Sequence, residues 1–394
     1  MSYIKVDLKK IENNVKNILN KYNGYDYYIG IVKGNAYGHG MYTIKTLIKN
    51  GINYLAVASL DEAIRIRKYD NDIPILCLEP IDLKFIDEVM KYNVTISIPS
   101  YEYFKQLLKI DIKKQIKIHL KIDSGMHRLG FTDKKDVKEV VNDINNHSQL
   151  YLEGIFSHFA TTGIADKYWD IQLENFKDIT SLIDLKKIPI VHLGRSLTLL
   201  THPKIDFCTG IRLGIIMYGF NTTPRYSNSL MDKLRLIKAD YLKNKYDISY
   251  TTTDNEIKLS QALELYSEIL QIKQLKSGDF VGYGATYQVK ENTNVATVNI
   301  GYSDGIGRKN SGRSVVINEK KYPIIGEIGM NMLSVKVDKG VKITDPVRII
   351  GDKISVREVS YYIGNSTYET LSMLPIHIPR IYYYDKEKVY IEKI

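Results

Sequence analysis

The run Ile31-Val32-Lys33-Gly34-Asn35-Ala36-Tyr37-Gly38-His39-Gly40 carries an apolar strand into a lysine and then at once into a glycine-rich turn. A lysine closing an apolar strand is a poor structural choice, because its ammonium must be solvated or paired. It is a good chemical choice. Low polarity lowers the pKa of an amine and frees it to form a Schiff base with a carbonyl. The bland alternative is a lysine whose stem lies on apolar surface while its head reaches water.

Such a lysine needs elements to hold it. Strand-like runs occur near residues 26–33, 54–58, 74–78, 94–98, 116–121, 151–157, 188–193 and 212–216. Helix-like stretches such as Leu60–Lys68 and Lys135–Ile144 separate most of them. Eight units in this length point to an α/β fold, a (β/α)8 TIM barrel, rather than an open sheet. Barrel enzymes keep their chemistry at the C-terminal ends of strands. Lys33, Lys121, His158, His192 and Arg212 all fall at or beside such ends, where a core strand gives out.

From about residue 221 the character changes. Residues 222–257 are polar and irregular and read as a linker or insertion. Beta-rich runs follow, among them Ala296–Ile300, Ser314–Ile317 and Val347–Ile350, punctuated by Gly, Asp and Asn. The expected organisation is a barrel over 1–221, a linker over 222–257 and a mostly β C-terminal domain over 258–394. The first few residues are expected to pair with that second domain.

The chain has 394 residues, 44% of them hydrophobic, which allows two domains and a large core. No apolar stretch approaches the roughly 20 residues of a membrane helix. The N-terminus lacks the apolar core and small-residue cleavage site of a signal peptide, so a cytoplasmic location is expected. The two cysteines, Cys77 and Cys208, have neither zinc spacing nor a disulfide framework and read as buried small hydrophobes. No metal site is expected. The net charge of +10 comes from lysines scattered among Ile, Asn and Tyr, and no nucleic-acid signature accompanies it.

Further segments carry chemistry-bearing residues. They are Lys121-Ile122-Asp123-Ser124-Gly125-Met126-His127-Arg128-Leu129-Gly130, Phe156-Ser157-His158-Phe159-Ala160-Thr161 and His192-Leu193-Gly194-Arg195-Ser196. After these come Gly210-Ile211-Arg212-Leu213-Gly214-Ile215-Ile216-Met217-Tyr218-Gly219, Val281-Gly282-Tyr283-Gly284-Ala285-Thr286-Tyr287 and Ile300-Gly301-Tyr302-Ser303-Asp304-Gly305. Taken singly, each has an ordinary reading as a core histidine, a surface arginine or a strand tyrosine. Taken together and in order, over nearly the whole chain, they resemble the alanine racemase family.

The resemblance implies pyridoxal 5'-phosphate (PLP) as cofactor and transfer of the α-proton of an amino acid. Lys33 matches the Schiff-base lysine, and Tyr37 a tyrosine that contacts the phosphate. Arg128 matches an arginine that lies beside the cofactor ring and the catalytic tyrosine and binds substrate, and Lys121 a lysine that is often carbamylated and pairs with it. His158 matches the histidine against the pyridine ring. Ser196, Gly214 and Ile215 match phosphate-binding positions. Arg212 matches the arginine on the pyridine nitrogen. Because it does not give up its proton, it discourages protonation of the ring and weakens the electron sink.

Racemisation needs an acid/base on each face of the planar intermediate. Tyr283 matches the second base, which the family supplies from the partner chain, so a homodimer is implied. Tyr302 matches a tyrosine at the mouth of the site, and the Met330 backbone meets the substrate carboxylate. The family role is supply of D-alanine to peptidoglycan precursors.

Several positions depart from the pattern. Arg195 replaces the usual asparagine before Ser196. The family's Gly-Arg-x-Cys-Met-Asp segment reads Gly326-Glu327-Ile328-Gly329-Met330-Asn331, with Glu327 for arginine and Asn331 for aspartate. Gly163 stands at the acidic gate position. Ile376 stands where a tyrosine is expected between Tyr368-Glu369 and Pro379-Arg380. These changes leave alanine as the expected substrate, with serine or a basic amino acid as the alternative. A PLP decarboxylase, a PLP aldolase and a PLP-binding protein without turnover are the other classes to separate.

Overall fold

The computed structural model describes residues 1–161, 167–220 and 257–392. Gly163 and residues 222–256 of the expected linker lie outside the described residues. The chain divides into two compact units. One comprises residues 12–33 and 44–260, the other residues 1–11, 34–43 and 261–394. The units interleave along the sequence, so Lys33 ends a segment of one and Gly34 begins a segment of the other.

The first unit is built on eight parallel strands. After β1 (Tyr3–Asp7), which belongs to the other unit, they are β2 (Tyr27–Ile31), β3 (Tyr54–Val57), β4 (Ile75–Cys77), β5 (Val94–Ile98), β6 (Ile116–Lys121), β7 (Leu150–Phe156), β8 (Ile190–His192) and β9 (Gly210–Leu213). Each expected run meets one, although the run at 212–216 shares only Arg212 and Leu213 with β9 and continues into a short 3-10 turn over Ile215–Tyr218. Their spatial order is β8-β7-β6-β5-β4-β3-β2-β9, and a parallel bridge between Arg195 and Arg212 joins the two ends. Strands covered on both faces read as continuous apolar runs. Accordingly β3, β4 and β5 are buried at every residue.

Helices start where polar caps permit. Ser59 caps Leu60–Ile66, Ser100 caps Tyr101–Leu107 and Asp133 caps Lys134–Asn146, each side chain accepting a backbone N–H of the first turn. In Lys134–Asn146 the buried residues are Val137, Val140, Val141 and Ile144, the apolar face of an amphipathic helix. Cys77 and Cys208 are free and buried.

The second unit holds a ten-stranded sheet among the described residues. β1 pairs antiparallel with Leu263–Ser267 and parallel with Arg380–Tyr384, so the N-terminal residues are strand partners of segments far along the chain. Alternation in β1 buries Ile4 and Val6 completely while Tyr3, Lys5 and Asp7 are half-buried. The runs Ser314–Ile317 and Val347–Ile350 are strands as expected, and Ala296–Ile300 is replaced by Thr293–Val298. No helix among the described residues is long and apolar enough to cross a membrane.

Candidate active site

The C-terminal ends of the barrel strands gather a cluster of cationic and imidazole side chains. Val32 extends the β2 ladder by donating to the Ala56 carbonyl (2.9 Å), and half-buried Lys33 follows. Lys121 closes β6, His158 lies two residues beyond β7, His192 closes β8 and Arg212 lies within β9.

Arg212 is the best-held member. Nη1 donates to His192 Nδ1 (2.7 Å) and to the His192 carbonyl (2.6 Å). Nη2 donates to the carbonyls of Ser157 (2.8 Å) and Leu193 (2.6 Å) and lies 3.4 Å from His158 Nδ1. A guanidinium has five N–H donors. Both terminal nitrogens are thus committed to the protein, and Nε is the donor that these bonds leave over. Burial, then the charge of Arg195, draws Arg212 down to about 9, which still leaves it charged at neutral pH. Its guanidinium lies 5.8 Å from the centre of the Phe156 ring, on which His192 stacks at 4.9 Å. Burial and the neighbouring cations Arg212, Arg195, Arg128 and Lys121 hold His158 well below the usual histidine range, so it is neutral.

Lys121 is buried, with Nζ 5.5 Å from the Phe156 ring centre. Burial, then Arg128 and Arg212, lowers it to about 8, against the pull of Asp123 and Glu79. The loop after it folds around Asp123, whose carboxylate accepts the backbone N–H groups of Gly125 (3.0 Å), His127 (2.9 Å) and Arg128 (3.1 Å). Gly130 (φ +133°) is required there, because a Cβ would lie 2.6 Å from the carbonyl carbon of Ile122. This loop sets the position of exposed Arg128. Asp123 is a site-building residue that the sequence reading left without a role. The signal in the sequence is Asp123-Ser124-Gly125, an aspartate two residues before a glycine, the pattern of a turn closed by the aspartate side chain.

Ser196 begins the helix Ser196–Thr201 and is buried. Its Oγ accepts the Gly214 N–H (2.9 Å), which leaves the hydroxyl proton free to donate. Gly214 therefore already spends its donor on Ser196, and buried Ile215 follows it.

The other unit contains the remaining candidates. Gly34, Asn35, Ala36 and Tyr37 form a left-handed turn, with φ of 62°, 53°, 54° and 50°. For residues with a Cβ this costs about 1–2 kcal/mol each. The surroundings enforce it. Gly38 N–H donates to the Gly34 carbonyl (2.9 Å) and Gly40 N–H to that of Asn35 (2.9 Å). His39 Nδ1 lies 3.0 Å from the Ala36 carbonyl and 2.9 Å from that of Tyr37, so it carries the proton. Fully buried Arg380 donates from Nε to the Gly38 carbonyl (3.1 Å) and uses its other nitrogens on the carbonyls of Leu374, Pro375, Ile376 and Ile378. The Tyr37 ring meets Tyr368 edge-on at 5.9 Å.

Tyr283 stands in a tight turn between Gly282 (φ +78°) and Gly284 (φ +68°), 71% exposed. The Gly329 Cα faces its ring, and a Cβ there would lie 3.5 Å from it. Tyr302 N–H donates to the Gly329 carbonyl (3.1 Å) and Ser303 N–H to that of Met330 (3.0 Å). Asn331 donates to Ser303 Oγ (2.8 Å). Thus Tyr283, Tyr302, Met330 and Asn331 lie on one exposed edge, with half-buried Glu327 beside Gly282.

Comparison with known proteins identifies the family. Residues 6–222 match the sequence model of the alanine racemase N-terminal domain, and residues 262–382 that of the alanine racemase C-terminal domain. The chain is 33% identical to the alanine racemase of Listeria innocua over 389 residues, covering 97% of each. It is 30% identical to that of Halalkalibacterium halodurans over 403 residues, covering 99% of this chain and 97% of the relative. The crystal structure of the Bacillus anthracis alanine racemase with bound L-Ala-P superposes with a TM-score of 0.86 at 30% identity, covering 100% of this chain and 97% of that one. With both domains matched and nearly every residue covered, this chain belongs to the alanine racemase family.

Proposed function

We propose that the protein is a PLP-dependent racemase that interconverts L- and D-alanine, working as a homodimer. The observation that carries the reading is the state of Arg212. Four carbonyl or imidazole acceptors hold its two terminal nitrogens, and Nε remains as a fixed, charged donor among the strand ends. A pyridine nitrogen, an acceptor without a proton of its own, matches that donor. A ring held this way stays unprotonated and is a modest electron sink, which favours return of the proton over transamination.

When bound, the cofactor supplies a conjugated ring that accepts electron density as Cα loses its proton. The residues do the rest. Lys33 holds the cofactor through its amine and moves a proton on one face of Cα. The partner's Tyr283 moves a proton on the other face. Its exposure in the single chain supports that reading, because an exposed tyrosine on a rigid double-glycine turn suits a role across an interface. The Ser196 hydroxyl, Tyr37 and the backbone N–H of Ile215 hold the phosphate, while Gly214 acts through Ser196, whose Oγ takes its N–H. His158, neutral, packs against the ring, and Arg128 with the Met330 backbone and Tyr302 receives the substrate.

Lys121 is the candidate for carbamylation. Its nitrogen attacks CO2, a proton leaves and a carbamate anion forms. The low pKa supplies the neutral amine, and the anion would turn repulsion from Arg128 and Arg212 into attraction.

The test is α-proton exchange in D2O. Incubation with PLP and either enantiomer of alanine is expected to give deuterated D- and L-alanine. Exchange faster with serine, lysine or arginine than with alanine would move the substrate assignment. Release of CO2 from carboxyl-labelled substrate would indicate a decarboxylase.

A further inference from the structure

Arg212 is buried, yet the acceptors of its terminal nitrogens are carbonyls and imidazoles rather than a carboxylate. A charge so placed needs a counter-ion somewhere. The structure supplies one at the end of a chain of side chains within the barrel.

His192 receives a proton from Arg212 at Nδ1, so its own proton must sit on Nε2. That nitrogen lies 3.0 Å from His119 Nδ1, which must therefore accept, and His119 carries its proton on Nε2. His119 Nε2 lies 3.3 Å from Glu153 Oε2. The direction is the same at every link, from guanidinium through two imidazoles to a carboxylate. Burial holds both histidines below their usual range, so both are neutral and each has one proton to give. Glu153 is ionised. Bonds from His119, Lys117 and Tyr54 bring it down to about 2, although burial opposes them. Lys117 Nζ lies 2.7 Å from Oε1, Tyr54 Oη 2.6 Å from Oε2 and Thr95 Oγ1 3.1 Å from Oε2.

Two backbone features show that the chain is built for this arrangement. The β6–β7 ladder pairs Ile118 with Leu152 and then His119 with Gly154, so Glu153 is the extra residue of a β-bulge. Bulges re-aim a side chain next to functional sites. The following residue is glycine, and a Cβ at Gly154 would lie 2.5 Å from His119 Nδ1, inside the imidazole.

We propose that Glu153 is the counter-ion of Arg212, acting through His119 and His192, and is thereby a positioning residue for the guanidinium that meets the cofactor ring. The last step rests on the PLP reading above. The link from Glu153 to Arg212 does not.

The test uses full-length protein labelled with 15N-histidine, as isolated and again after PLP addition. Long-range 1H–15N spectra are expected to show the proton of both His119 and His192 on Nε2. In Glu153→Gln, the His119 Nε2 proton and, by a smaller amount, the His192 Nε2 proton are expected upfield, because a neutral amide accepts less strongly than a carboxylate, while Arg212 keeps the His192 proton on Nε2. With PLP and alanine, kcat is expected to fall about 10-fold, the low end for loss of an outer partner of a site residue, with KM within about 2-fold. Lys117→Met keeps the carboxylate and removes its cation, so the His119 proton is expected to move downfield. That variant decides the matter if Glu153→Gln does not fold. A wild-type His192 protonated at Nδ1, or His192 signals unmoved in the folded variants, overturns the proposal. Absence of a PLP-dependent absorption band in the wild type overturns the PLP reading instead and leaves the tautomer result standing.

Discussion

Arg212 Nη1 lies 2.7 Å from His192 Nδ1, and the same nitrogen reaches the His192 carbonyl at 2.6 Å. One residue of β8 therefore receives one arm of the guanidinium fork of β9, while the other arm, Nη2, reaches the carbonyls of Ser157 and Leu193. A lysine keeps the charge but has no fork. In Arg212→Lys, carbonyls of Ser157, His192 or Leu193 lose their donor. Urea unfolding is expected to show a loss of about 2 kcal/mol or more, from at least one orphaned buried acceptor. Racemisation is expected to fall about 100-fold, as for loss of one fixed electrostatic donor.

The left-handed turn after Lys33 depends on Gly38 as much as on Gly34. Gly38 has φ +78°, and a Cβ there would lie 2.5 Å from the Leu371 carbonyl oxygen. Backbone does not yield as a flexible side chain would. Gly38→Ala is expected to lower stability by about 2–4 kcal/mol through strain and overpacking. Gly307→Ala, at a site with open space around the added Cβ, is the matched control in the same urea titration.

His39 gives the turn a pH dependence. Burial lowers it to about 4 against an unfolded value near 6.5, with bonds to the Tyr37 and Ala36 carbonyls opposing and Arg380 assisting. Between these values the unfolded chain binds a proton that the folded chain refuses, so stability rises with pH across that window and is flat above it. The span corresponds to about 3 kcal/mol. In His39→Gln the slope of unfolding free energy against pH from 4 to 6.5 is expected to drop by one proton. Glu153 acts in a separate window. Its lowered pKa contributes stability above about 4.5 that is lost as pH falls towards about 2.

Tyr283 tests the division between folding and chemistry. Its side chain is exposed, so Tyr283→Phe is expected to change stability by less than about 0.5 kcal/mol. Loss of an acid/base group is expected to cost 100-fold or more in turnover, on the scale of about 10²–10⁴ for such groups. Deuterium exchange should be suppressed for one enantiomer more than for the other. Equal exchange of both at the wild-type rate would remove Tyr283 from the mechanism.

The barrel was readable because its signal is local. Every one of the eight apolar runs meets a strand, the last of them only at Arg212 and Leu213, and the strand-end placement of Lys121 and His192 follows from chain position alone. The bulge at Glu153 was not readable, since register is a property of two strands and neither sequence shows it alone. The first residues are expected to pair with the second domain, but the choice of Leu263–Ser267 and Arg380–Tyr384 as the partners of β1 is a long-range event that the sequence does not show. The left-handed conformation of Asn35, Ala36 and Tyr37 contradicts their intrinsic preference and is imposed by His39 and Arg380.

The most direct test asks which amine carries the cofactor. Protein incubated with PLP, reduced with borohydride and digested is expected to yield one phosphopyridoxylated peptide, labelled at Lys33, with the visible absorption band lost on reduction. A label on Lys121 or any other lysine, or no label at all, would contradict the account.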